Sequence, residues 1–191
     1  MPTNDMNLPR YTKPAIILHW VIAVLMIGNL LVGLFFTKLP DDWIRPVLDA
    51  HKSTGITVLG LVLLRVLWRI GHKPPPFSHG MAAWERVAAH VAHFGLYVFM
   101  LLMPLTGWFM DSAWKDADSH PMFFFGTFEW PRIGHFLNMP LEQKNYWHDL
   151  FGAIHQYAGY ALFWLIILHV AGALKHQFID REPEFQRMWP R

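Results

Sequence analysis

Apolar residues run almost unbroken through four stretches of the chain, at about 14–36, 54–68, 87–110 and 153–174, and charged residues withdraw to the segments between them. An apolar run of about 20 residues crosses the hydrocarbon core as a helix. The second stretch reaches that length once its helix starts at Pro46. The pattern predicts helices at about 14–36, 46–70, 84–110 and 146–178, in one domain covering 1–191. The expected fold class is all-α, an integral membrane four-helix bundle. Arg10 and Lys13 precede the first stretch as they would in a signal peptide. That stretch is longer than a signal core, lacks a small-x-small cleavage site and carries a histidine, so a retained helix is expected.

The connections sharpen this outline. Segment 37–45 is short, so the first two helices must lie antiparallel. Pro74, Pro75 and Pro76 in a row cannot continue a helix, which makes 71–80 a turn. Pro104 falls inside the third helix and predicts a kink. The longest connection, 111–146, carries Phe123, Phe124, Phe125, Phe128, Trp130 and Phe136. A loop that long in a small domain is usually functional or disordered. This one is too aromatic for disorder and is expected to fold over the outer helix ends, with rings in the headgroup layer.

Only 16% of the 191 residues are charged while 53% are apolar, against roughly a quarter charged in soluble proteins. Placing both termini in the cytoplasm puts ten of the sixteen Lys and Arg residues on that side, as the positive-inside rule requires. The outer side then holds six bases and nine acids. The sequence pI near 9.0 thus reads as membrane topology, and no folded basic module argues for nucleic acid. Cysteine is absent, which removes disulfides, iron–sulfur clusters and covalent haem attachment.

Four histidines stand out. His19, His51, His155 and His169 lie in or at the ends of the apolar stretches, and the residue four positions on is Ala23, Gly55, Gly159 or Ala173. On a helix that residue lies one turn along on the same face, so a porphyrin held by the histidine needs it small. His155 and His169 are fourteen residues apart, which puts them on one face roughly 21 Å apart along the axis. By depth, His19 pairs with His169 toward the inside and His51 with His155 toward the outside. A single intramembrane histidine could be a hydrogen-bonded structural residue. Four at two matched depths make chance the worse explanation, and two histidines per iron imply two haems b, with His19, His51, His155 and His169 as iron ligands.

Other histidines compete less well. His90 and His93 have Phe94 and Tyr97 at i+4 and read as supports behind the iron ligands or as interhelical hydrogen bonders; His148 has Gly152 at i+4 but aqueous neighbours; His72, His79, His120 and His135 fall in loops. Haem propionates need cations, with Arg65 and Arg69 at the inner level and Lys52 and Arg45 at the outer; ordinary snorkelling weighs equally for all but Arg65, which lies within an apolar run. Axial positions filled by two imidazoles imply outer-sphere electron transfer and argue against dioxygen binding. His176 continues the His169 face by seven residues, and an imidazole there could relay protons to a quinone or be an interfacial residue with no role.

With these residues in view, the chain resembles the bacterial cytochrome b561 family, four-helix di-haem b proteins that include superoxide oxidases. The resemblance rests on His19-Trp20, on His51-Lys52-Ser53-Thr54-Gly55 followed by Arg65-Val66-Leu67-Trp68-Arg69, and on His155 to His169 with Ala173-Leu174-Lys175-His176-Gln177-Phe178. It implies a bacterial inner-membrane location, the same ligand pairs, and ubiquinone as electron acceptor near His176. It also implies a superoxide:quinone oxidoreductase, with superoxide steered by Arg45, Lys52, Lys115, Arg132 and Lys144, although the outer acids oppose such steering. The alternative is an electron-transfer module serving a periplasmic redox protein, with the aromatic loop as its docking surface. A histidine-lined metal transporter is the weaker third reading, since the helix interiors hold no Asp or Glu.

Overall fold

The structure is a computed structural model and describes residues 9–77, 80–182 and 184–190. His79 lies outside the described residues. Helix α1 spans Lys13–Phe35 with Pro14 in its first turn, where the missing N–H costs no bond. A single 3-10 turn, Phe36–Lys38, leads to α2 at Asp41–Gly71. Next come α3 at Ala83–Ser112, a two-stranded hairpin of β1 (Phe123–Phe124) and β2 (Phe128–Glu129), and α4 at Gly134–Leu137. The chain finishes with α5 at Leu141–Phe178 and α6 at Glu184–Met188.

Two helices start earlier than the apolar pattern suggests. Pro40 and Pro140 each occupy the position before the first helical residue, followed by Asp41-Asp42 and by Leu141-Glu142. Acidic residues in a first turn complement the exposed N–H groups and the positive end of the helix dipole. Pro46 lies inside α2, but so close to the start that only the bond to Asp42 O is lost.

Helices α1, α2, α3 and α5 are all long and apolar enough to cross a membrane. Close packing joins α1 to α2, α2 to α3, and α3 to α5. Neither α1 nor α2 packs closely along α5. The central core, Ile22, Met26, Val58, Val62, Met100 and Leu162, lies between the two histidine levels. Val24, Leu64, Leu67, Val91, Phe94 and Leu168 face outward and are exposed, as residues bathed in lipid would be.

The first and last described residues of the chain lie at one end of the bundle. Arg187 on α6 is buried and donates from Nε to Pro9 O and from Nη2 to Pro76 O, while Nη1 pairs with Glu184. Trp20 Nε1 donates to Met188 O at 2.7 Å, and its ring meets Phe185 and Trp189 edge-on. This plug of Pro9-Arg10, the segment around Pro76 and the C-terminal helix covers the end nearest His19.

The opposite end is covered by segment 113–140. Its hairpin turns through Phe125 and Gly126, both at positive φ, the mirror-image turn that suits strand twist. Phe125 is an unusual residue for that conformation, and its N–H is held by Ser53 Oγ at 3.0 Å. Ser53 is fully buried on α2 and itself donates to Asp49 O, with Phe123 O at 3.3 Å. The other side of the loop rests on α5 through Phe136, Trp147 and Phe151. The segment folds over the helix ends opposite the Arg187 plug, with Phe123, Phe125 and Phe128 exposed.

Candidate functional site

His51 on α2 and His155 on α5 face each other with ring centroids 6.2 Å apart, and His19 on α1 faces His169 on α5 at 6.3 Å. Metal–imidazole bonds of about 2.0 Å, each followed by ~1.1 Å to the ring centre, place two axial ligand rings about 6.2 Å apart. Both pairs therefore have the spacing that one iron between two imidazoles requires. The ligand-bearing helices are the ones kept apart in the bundle, which leaves width for a macrocycle.

The outer pair opens onto a cavity of about 540 Å³ between α1, α2, α3 and α5. Gly55 and Gly159 line it together with Gly33, Gly107 and Gly152. At Gly55 a Cβ would stand 3.9 Å from Asn29 Nδ2, and at Gly159 3.5 Å from Met103 Cε. One added carbon is tolerable at either position, whereas an aromatic ring would fill the space.

Two further glycines, which helix periodicity did not single out, press directly on the histidines. A Cβ on Gly33 of α1 would lie 3.3 Å from His51 Cε1, and one on Gly107 of α3 would lie 3.2 Å from His155 Cε1. Each outer imidazole is thus backed by bare backbone from a neighbouring helix. His155 Nδ1 donates to Met103 O at 3.0 Å and lies 3.1 Å from Thr106 Oγ1. Thr106 directs its own hydroxyl at Leu102 O and Met103 O. This arrangement fixes the tautomer and leaves Nε2 with its lone pair for a metal. His51 Nδ1 is buried with no hydrogen-bond partner of good geometry among the described residues. The donor set, spacing and glycine cradle fit a bis-histidine haem.

The inner pair is set in a more polar frame. His93 on α3 brings its ring within 5.2 Å of His169, so of the two roles expected for it the structure shows contact with a candidate iron ligand. His90 instead turns its Nδ1 to Arg86 O and its ring edge to Phe77. Arg65 is half-buried and donates to Tyr97 Oη at 3.0 Å and to Ala15 O at 3.3 Å. The Arg69 guanidinium lies 5.4 Å over the Tyr97 ring, a cation–π contact.

Four cations at the level of His51 and His155 are paired. Asp111 is buried and receives Lys52 Nζ at 2.7 Å and Arg132 Nε at 2.8 Å. Lys144 pairs with Asp118 at 2.8 Å, and Arg45 lies 3.7 Å from Asp49. Arg132 also donates to His120 O and Ala117 O, so the triad ties α2, α3 and the outer loop together. His148 Nδ1 hydrogen-bonds Met110 O at 2.9 Å, a structural tie between α5 and α3.

His176 Nδ1 lies 2.7 Å from Asp180 Oδ2. Glu85, His176 and Asp180 converge closely enough to hold a cation, but the Lys175 ammonium already bridges Glu85 and Asp180 at 2.6 and 2.7 Å. Lys175 holds the Asp180 carboxyl below the usual carboxylate range, and the contact with His176 adds to this.

A sequence model described as prokaryotic cytochrome b561 matches residues 10–191. The chain belongs to the prokaryotic cytochrome b561 family. It is 30% identical over 185 residues to cytochrome b561 homolog 2 of Escherichia coli K12, covering 95% of this chain and 93% of the relative. It is also similar to the probable superoxide oxidase CybB of Yersinia pestis, 24% identical over 191 residues and covering 95% and 97% of the two chains. The cytochrome b562 of Cereibacter sphaeroides is 25% identical over 189 residues, covering 94% and 95%. Family and helices together make this a multi-pass inner-membrane electron-transfer protein of the haem b type.

Proposed function

We propose that the protein passes electrons across the membrane between the periplasmic side and the ubiquinone pool through two bis-histidine haems b, with both termini in the cytoplasm. The observation that carries the reading is the pair of facing imidazoles at each of two levels, 6.2 and 6.3 Å apart. Haem b bound there would supply one-electron redox at an iron with both axial positions taken. The protein's part is to hold the four imidazoles, exclude water with the outer loop and the Arg187 plug, and meet propionates with cations. Lys52 and Arg132 share one carboxylate, which leaves one positive charge of that triad for a propionate beside His51. Arg65 and Arg69 would serve the inner level.

His176, one helical repeat beyond His169, is the candidate residue at the quinone site. Its hydrogen bond to Asp180 gives the imidazole a route to exchange protons with the cytoplasmic surface. The test is reoxidation of the reduced protein by a soluble quinone. His176→Ala should slow it several-fold with haem spectra intact, and His72→Ala should not. Wild-type rates in the His176 variant across pH 6 to 8 would remove it from the site.

The outer ion pairs bear on the electron donor. Of the five cations that could steer superoxide, Arg45, Lys52, Arg132 and Lys144 each face a carboxylate, and only Lys115 is exposed without an ion-pair partner among the described residues. Paired charges give a weak field at a distance. This favours a periplasmic redox protein over superoxide as donor, with the exposed loop aromatics as its docking surface. Stopped-flow mixing with superoxide and quinone decides between them. Consumption at the rate of a haem-free control supports the protein donor, whereas rapid quinone-dependent consumption installs the oxidase.

A further inference from the structure

At the end of the bundle that carries the first and last described residues, the segment before α1, the last turns of α2 and Tyr97 of α3 enclose an open cavity of about 210 Å³. Arg10, Arg65, Arg69 and Lys73 line it, and no carboxylate does. Lys52, Arg132, Lys144, Lys175 and Arg187 each meet a carboxylate within 3 Å. Arg10, Arg65, Arg69 and Lys73, gathered around one cavity, meet none among the described residues. Arg65 is half-buried and spends its donors on Tyr97 and Ala15. Arg10, Arg69 and Lys73 are exposed, and each keeps donors to spare.

Like charges gathered without counter-ions repel one another, so an anion from outside the chain would relieve the cluster. Helix α1 adds to the demand. Its first turn contains no acidic residue and its N-cap position has no side-chain cap bond, so the positive end of its dipole goes uncompensated where Thr12 and Ala15 border the cavity. Beside Tyr11 and His72, the wall includes Trp68, Pro74 and Pro75, apolar surface at the depth where a membrane-crossing helix leaves the bilayer. Aromatic residues favour that layer, and basic pockets between helices there suit phosphate headgroups.

We propose that this cavity binds a phosphate ester, presented by the headgroup of an anionic phospholipid, with Arg10 and Lys73 on the phosphate oxygens. Bound lipid would tie the segment before α1, the end of α2 and Pro74-Pro75 together beside the inner histidine pair. Arg65 and Arg69 border the cavity and are claimed by the haem propionates in the proposed function, so the site is tested apart from that reading through Arg10 and Lys73, which have no part in it.

The test uses the haem-loaded protein, delipidated in neutral detergent, with its melting temperature followed as phosphatidylglycerol, phosphatidylcholine or soluble glycerol phosphate is added. Phosphatidylglycerol alone should raise the midpoint by a few degrees, as mass action on the folded state requires. The double substitution Arg10→Gln with Lys73→Gln should lose that rise while both haem bands stay unchanged. Lys13→Gln, which removes a neighbouring charge outside the cavity, should keep it and so exclude general attraction to an anionic surface. An equal rise with glycerol phosphate would replace the lipid by free phosphate esters. Equal responses to the two lipids, or a full response in the double variant, would overturn the proposal.

Discussion

The two histidine levels solve the same problem by different means. At the outer level the rings are held by backbone and packing: Gly33 behind His51, Gly107 behind His155, Met103 O on His155 Nδ1, and a loop locked down by Ser53 and Asp111. At the inner level the rings are surrounded by groups that carry or share protons: His93 against His169, with Arg65, Arg69 and Tyr97 close by. Rigid backing suits a site that only relays electrons. A polar surround would suit the end at which, in the proposed function, a quinone gains protons as well.

The largest break in that comparison should come from Gly159→Phe. The new ring would occupy the outer cavity, so the outer haem should be lost while the inner one stays, a halved haem content by difference spectroscopy. Equal loss at both levels in a folded protein would mean that the cavity does not house the outer haem alone.

Asp111→Asn should come next. It leaves Lys52 and Arg132 facing each other without their carboxylate, and breaking a buried ion pair from one side costs about 3 kcal/mol. Limited proteolysis within 113–140 should accelerate, and the outer haem band should shift with the inner band unmoved. Resistance equal to wild type would show that the triad does not hold the loop.

Gly107→Ala should cost about 1–2 kcal/mol of overpacking, because its Cβ would meet His155 Cε1 at 3.2 Å. Its signature is a moved outer midpoint potential in a redox titration. Gly28→Ala has open space around it and should leave both potentials unchanged. Ser53→Ala should have the smallest effect, roughly 1 kcal/mol for the lost Phe125 hydrogen bond, read as faster amide exchange in the hairpin.

Much of the frame was legible in the sequence because it depends on one helix at a time. The spans follow from apolar runs, the common face of His155 and His169 from helical spacing, and Gly55 and Gly159 from the i+4 rule. Gly33 and Gly107 escaped because their role is fixed by a neighbouring helix, and a lone glycine in an apolar stretch carries no mark of what lies across from it. The same limit hid Asp111, whose two partners are 59 and 21 residues away in the chain. It also hid Ser53, bound to a turn 72 residues on. The early starts of α2 and α5 were a different matter. Pro40-Asp41-Asp42 and Pro140-Leu141-Glu142 are helix-start signals that an emphasis on apolar residues passed over.

The central claim is that this chain holds two haems b, one between His51 and His155 and the other between His19 and His169. Haem content per chain, measured by the pyridine haemochrome for wild type and each of the four His→Ala variants in detergent-folded protein, tests it most directly. The account predicts about two haems in wild type and about one in every variant, with His51→Ala and His155→Ala leaving one spectrum and His19→Ala and His169→Ala leaving the other. A single haem in wild type, or variants that sort into any other pairs, would contradict it.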